Sequence, residues 1–293
     1  MKKLQPPKVH DLAILKEMKA NQGWAANPSI NENFKSMRAD YIKFRRNKGS
    51  AFFIDKVTMG AVLKAKLIQH FDNPRIELSY INEIRYDLSP DCCPTCGSDG
   101  TSSVDHYLPK ASFPNLTLYS LNLVPACECN YKRSAVVKGD EPNKIAIHPY
   151  FDDGLDERLM KAEITGDLDG NDIDVNFIPL QCQRIHIDKI RFHIENVINK
   201  TRAKTWMIKR WSTLSNNTKT IVTNIPDKNT ILTNTSLKYY IDATIIDHDD
   251  EHKSPNNWRS MFLYGLRESD VIIEWLVENH NRRVRGQLEP LNL

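Results

Sequence analysis

Five of the six cysteines in this 293-residue chain fall within the 38 residues from Cys92 to Cys129. No other feature limits the fold as tightly. The segment is dense in Gly, Pro, Asn and Ser, so it suits short strands and loops rather than long helices. Zinc takes four thiolate or imidazole ligands in a tetrahedron, commonly as two close pairs. Cys93-Pro-Thr-Cys96 supplies one pair, and Cys127-Glu-Cys129 supplies a second that is one residue tighter than usual. Cys92 in place of Cys93, or His148 in place of Cys129, would also complete a set. A redox CxxC normally opens a helix after a strand, whereas Pro94 and Gly97 favour the tight knuckle of a metal loop. Cys182 stands apart and reads as a core filler.

The same segment holds a second set of chemical groups: Asp105-His106-Tyr-Leu-Pro109, Asn122-Leu-Val-Pro125 and Asn130-Tyr-Lys132-Arg133. Asp105 offers a hard carboxylate oxygen and Asn130 a carbonyl oxygen, both suited to a divalent ion. His106 is the nearby group whose ordinary pKa suits general base work near neutrality. Neighbours on an extended strand, Asp105 and His106 would face opposite sides. Asn122 is placed to bond backbone groups and hold the loop that carries His106. Lys132 and Arg133 read either as phosphate contacts or as an exposed helix turn. His148 reads as a metal or substrate contact, or as packing at a strand end.

Cys-x-x-Cys, Asp-His-x-x-Pro, Asn-Leu-Val-Pro and Cys-Asn-x-x-Lys in this order resemble the HNH endonucleases, whose core is the ββα-metal finger. The resemblance covers residues 92–138. It implies His106 as the general base, Asn122 as the middle Asn, and Asn130 with Asp105 as ligands of a catalytic magnesium or manganese ion. The four cysteines match the family's structural zinc knuckle, although Cys127-x-Cys129 departs from the usual spacing. With His148-Pro-Tyr-Phe-Asp152 and helical flanks added, the chain resembles the HNH subunits (PtuB group) of Septu-type bacterial anti-phage systems, including those attached to retrons. That implies a defence role and an ATPase partner. The alternatives are a stand-alone restriction-type endonuclease and a zinc-stabilised nucleic-acid- or protein-binding module without activity.

Around the finger the pattern is helical. Phe34, Met37, Tyr41 and Phe44 recur at helical spacing within 8–71, as do Met59, Val62, Leu63, Leu67 and Phe71. Positions 29–48 are basic, through Lys35, Arg38, Lys43, Arg45, Arg46 and Lys48. Residues 145–180 read as strands with a turn at Asp169-Gly-Asn-Asp172. Residues 183–212 read as one long helix carrying eight basic residues against Asp188 and Glu195, a local charge of +6. Residues 213–235 read as irregular, and helices are expected at 236–248 and 257–286. The expected fold is therefore α+β and mostly helical. It has a helical region at 1–90, a zinc-stapled finger with a following hairpin at 91–180, and a second helical region at 181–293. The net charge of +3 is too small to argue for nucleic acid by itself. There is no apolar run of membrane length and no secretory signal, so a cytoplasmic protein is expected, acting on DNA or on RNA such as tRNA.

Overall fold

The computed structural model describes residues 1–133, 135–169 and 172–288. It is a mixed α+β structure, about half helical. Three helices, α1 (Asp11–Ala20), α2 (Ser29–Arg46) and α3 (Ala61–Asp72), form the N-terminal part, with the chain breaking at Asn27-Pro28 and at Lys48-Gly49. A short helix α4 (Tyr80–Asn82) runs on into a wide turn over Glu83–Asp87. Of the apolar faces expected from helical spacing, Met37, Tyr41 and Phe44 on α2 and Leu63, Leu67 and Phe71 on α3 are buried, whereas Val62 is exposed and Met59 precedes α3.

The cysteine segment folds as a two-stranded finger. Strand β1 (Ser103–His106) pairs antiparallel with β2 (Leu123–Ala126), so that Asp105 lies opposite Val124 and His106 opposite Leu123. The loop between the strands contains helical turns at Pro114–Leu116 and Ser120–Asn122. A helix does begin at Cys129, but α5 (Cys129–Lys132) has only 4 residues.

A hairpin follows, built from β3 (Met160–Asp167) and β4 (Asp172–Pro179). Met160, Ala162, Ile164, Ile173, Val175 and Phe177 point inward, as the alternating pattern requires. The first strand thus begins at Met160 rather than near Ala146. Residues 146–151 turn instead, because the Asp152 carboxylate accepts the His148 N–H at 2.6 Å and the His148 carbonyl accepts the Phe151 N–H at 3.2 Å. Gly170 and Asn171, in the expected turn, lie outside the described residues.

The single long helix expected at 183–212 is two. Helix α6 (Ile187–Asn196) stops at Val197 and α7 (Ala203–Asn216) starts after Arg202. Thr201 explains the break: its hydroxyl donates to the Ile198 carbonyl and accepts the Ala203 N–H, an alternative to helical bonding. Helix α8 (Thr218–Ile221) interrupts the stretch read as irregular. Helix α9 (Asn234–His252) starts at a Thr233/Ser236 capping box, and α10 (Trp258–Arg267) and α11 (Asp270–Val284) are separated by the Ser269 cap. Gly265 lets α10 lie on the hairpin, since a Cβ there would sit 1.8 Å from the Ala162 carbonyl oxygen.

Two apolar cores result. One joins α1–α4 to the loop between β1 and β2; the other joins β3–β4 to α6, α7 and α9–α11, and includes the cysteines. The finger straddles them, with Val104 and Leu123 in the first and Cys93, Cys96 and Ala126 in the second. No helix among the described residues is long and apolar enough to cross a membrane.

Candidate metal centre and catalytic finger

Cys93, Cys96, Cys127 and Cys129 converge, with all four sulfurs within 4.8 Å of one another. Two of the gaps are 3.7 Å (Cys93 to Cys129) and 3.4 Å (Cys96 to Cys127). A disulfide requires about 2.05 Å. A zinc tetrahedron with Zn–S of about 2.3 Å has sulfur–sulfur edges near about 3.8 Å. The spacing fits a metal and excludes a disulfide. The tight Cys127-x-Cys129 pair is accommodated because Cys129 opens α5, where its backbone N–H donates to the Cys127 sulfur at 3.3 Å.

The other pair is held from outside the finger. Gly97 has φ +84°, and a Cβ there would lie 2.2 Å from the Asn256 carbonyl oxygen. The Trp258 indole donates to the Cys96 carbonyl at 2.7 Å, and the Trp258 backbone N–H to the Gly97 carbonyl at 3.0 Å. The start of α10 therefore clamps the knuckle. Cys92 is buried but turned away, its sulfur 3.6 Å from the Met1 nitrogen. His148 is not a member of the cysteine group either. It packs among Tyr107, Phe151 and Phe44, and its Nδ1 accepts the Tyr150 N–H, so the packing alternative is the one observed.

His106 is 5% exposed. Its Nε2 lies 3.0 Å from the Thr117 carbonyl, and Phe71 packs on the ring at 4.4 Å between centroids. A carbonyl only accepts, so Nε2 carries the proton. Burial, then the Lys110 charge, pull its pKa down to about 3, against the Thr117 bond. The ring is therefore neutral, and Nδ1 is left with its lone pair. Asn122, fully buried, holds the loop that follows. Its amide oxygen accepts the Leu108 N–H at 2.8 Å, and its NH2 donates to the Leu108 carbonyl at 3.1 Å and the Leu116 carbonyl at 3.2 Å.

Asp105 faces the other side of β1, toward Arg133. The Arg133 Nε donates to one carboxylate oxygen and Nη2 to the other at 3.1 Å; Nη2 also reaches the His106 carbonyl at 2.7 Å. Both side chains are 7% exposed. Burial pushes the Asp105 carboxyl up and the guanidinium opposes that. This corrects the reading of Arg133 as a phosphate contact: the residue is buried in an ion pair. Lys132 is exposed on α5. The Asn130 NH2 donates to the Val104 carbonyl at 3.2 Å.

The basic stretch is less available than its charge suggests. Arg184, Lys189, Arg191, Arg202 and Lys204 are each paired with a carboxylate. On α2, Lys35, Arg38, Arg45 and Arg46 are exposed.

A second group, His248, Glu251 and His252, went unread in the sequence, although its i, i+3, i+4 spacing on a helix was visible. The His252 Nδ1 faces the His248 carbonyl at 2.9 Å and Nε2 faces Asp99 at 3.1 Å. Both partners are acceptors, an arrangement that favours the protonated ring, and the His252 pKa is raised chiefly by the hydrogen bond to Asp99.

Comparison with known proteins adds one relative. Over 103 residues the chain is 35% identical to Protein ea31 of Escherichia phage lambda, a stretch that makes up 33% of this chain and 34% of that protein. The match thus spans about a third of either chain. No protein-family model matches, and no solved structure matches.

Proposed function

We propose that the chain is an HNH-type endonuclease that hydrolyses phosphodiester bonds in DNA or RNA. The observation that carries this is His106. It ends the first strand of a zinc-stapled β–β–α unit, and its tautomer is set by the Thr117 carbonyl so that Nδ1 is the basic nitrogen. In hydrolysis Nδ1 takes a proton from water as the water oxygen bonds to phosphorus and the bond to the leaving sugar oxygen breaks. A base held near 3 is weak, but a phosphate anion brought beside it favours the imidazolium and raises that value.

The cysteines fit structural zinc. The catalytic magnesium or manganese ion implied by the resemblance would fall to Asp105 and Asn130. As arranged, these residues do not fit one, because both Asp105 oxygens are engaged by Arg133. No step is routed through such an ion. The antiviral role and the ATPase partner rest on the resemblance alone. The second reading, a non-catalytic zinc-stapled binding module, is favoured by the burial of both Asp105 and His106.

The test is cleavage of plasmid DNA and of RNA by zinc-loaded protein with magnesium or manganese, alone and with a candidate ATPase. His106→Ala should lose about 10²–10⁴-fold of the activity while keeping its zinc. Undiminished cleavage by that variant would sink the catalytic role. No cleavage of either polymer under any of these conditions would favour the binding module.

A further inference from the structure

We infer that Arg133 is the resident cation of the Asp105 seat and keeps a divalent ion out of it. The inference rests on the nuclease reading and on the geometry that disagrees with its implied metal site. A guanidinium fork matches a carboxylate in a plane, and here it uses both carboxylate oxygens at once. The same Nη2 is tied to the His106 and Tyr107 carbonyls, so the group is held by the strand end as well as by the charge. A cation cannot be added to that pocket. Two positive groups would share one carboxylate, and both of its oxygens are already used.

The experiment titrates manganese alone into zinc-loaded protein, followed by electron paramagnetic resonance, without nucleic acid. Wild type is compared with Arg133→Gln, Arg133→Lys and the double variant Asp105→Asn/Arg133→Gln. Arg133→Gln removes the charge and should tighten manganese binding by about tenfold or more, the coupling expected of a close buried charge pair. Arg133→Lys keeps the charge but cannot hold both oxygens, so it should fall between. The gain should vanish in the double variant. Zinc content and circular dichroism establish that each variant is folded, and the Lys variant carries the test if the Gln variant is not. Equal manganese affinity in wild type and the single variants would overturn the inference, as would a gain that survives Asp105→Asn. Either result would leave His106-dependent cleavage untouched, so the two readings fail separately.

Discussion

Asn122→Ala separates a residue that holds the loop from one that does chemistry. Asn122 is fully buried and satisfies three backbone groups: the Leu108 N–H and the carbonyls of Leu108 and Leu116. Truncation leaves the Leu108 N–H and carbonyl without a partner, while the Leu116 carbonyl keeps the Tyr119 N–H at 3.2 Å. A buried unsatisfied polar group costs about 1–3 kcal/mol, so for two groups even the low end gives about 2 kcal/mol. Near about 2 °C per kcal/mol for a chain of this size, the melting temperature should fall by about 4 °C or more. Asn122→Asp sharpens the test. The carboxylate can still accept the Leu108 N–H, but it sets negative charge against two carbonyls. Its pKa should be raised by the fold, so the deficit should be smallest in acid and grow as pH rises through that value. Denaturant unfolding at several pH values, with zinc content measured in parallel, reads both effects. A loss below about 1 kcal/mol for Asn122→Ala would mean that water replaces the amide and that Asn122 does not hold the loop.

Three further outcomes follow from the geometry. Metal analysis of the folded protein should find about one tightly held zinc per chain, and Cys96→Ser should lose it together with the finger fold, since structural zinc binding is coupled to folding; folded protein without metal would refute the assignment. His106→Ala should keep its zinc and lose cleavage, as set out above. Asp11, whose carboxylate accepts both the N–H and the hydroxyl of Ser120, is raised from 3.8 to about 6 chiefly by burial. A raised carboxyl contributes stability below pH 4 that is lost as pH climbs through 6, so wild type should weaken relative to Asp11→Asn by up to about 3 kcal/mol across that window; parallel pH curves for the two proteins would exclude the effect.

The four-cysteine cluster and the helical faces were legible because each depends on local spacing. Two cysteine pairs can close on one ion almost regardless of what surrounds them, and the apolar residues of α2 and α3 recur with the helix period. The break at Val197 was not legible: the basic and apolar pattern runs unchanged across it, and a single hydroxyl, that of Thr201, competes for the backbone. The clamp of Trp258 on Cys96 joins residues 162 positions apart, and no local pattern records it.

For the candidate site the division is sharper. The amino-acid order determined that Asp105 and His106, as neighbours on a strand, would face opposite ways, and that a helix would begin at Cys129 beside them. Only the tertiary structure decided what each one meets. His106 meets the Thr117 carbonyl and Phe71, and Asp105 meets Arg133. The reason is physical. A strand sets direction by its period, which the sequence carries. The partner of a buried polar group is set by whichever group the packed chain brings within about 3 Å, and that depends on every element at once.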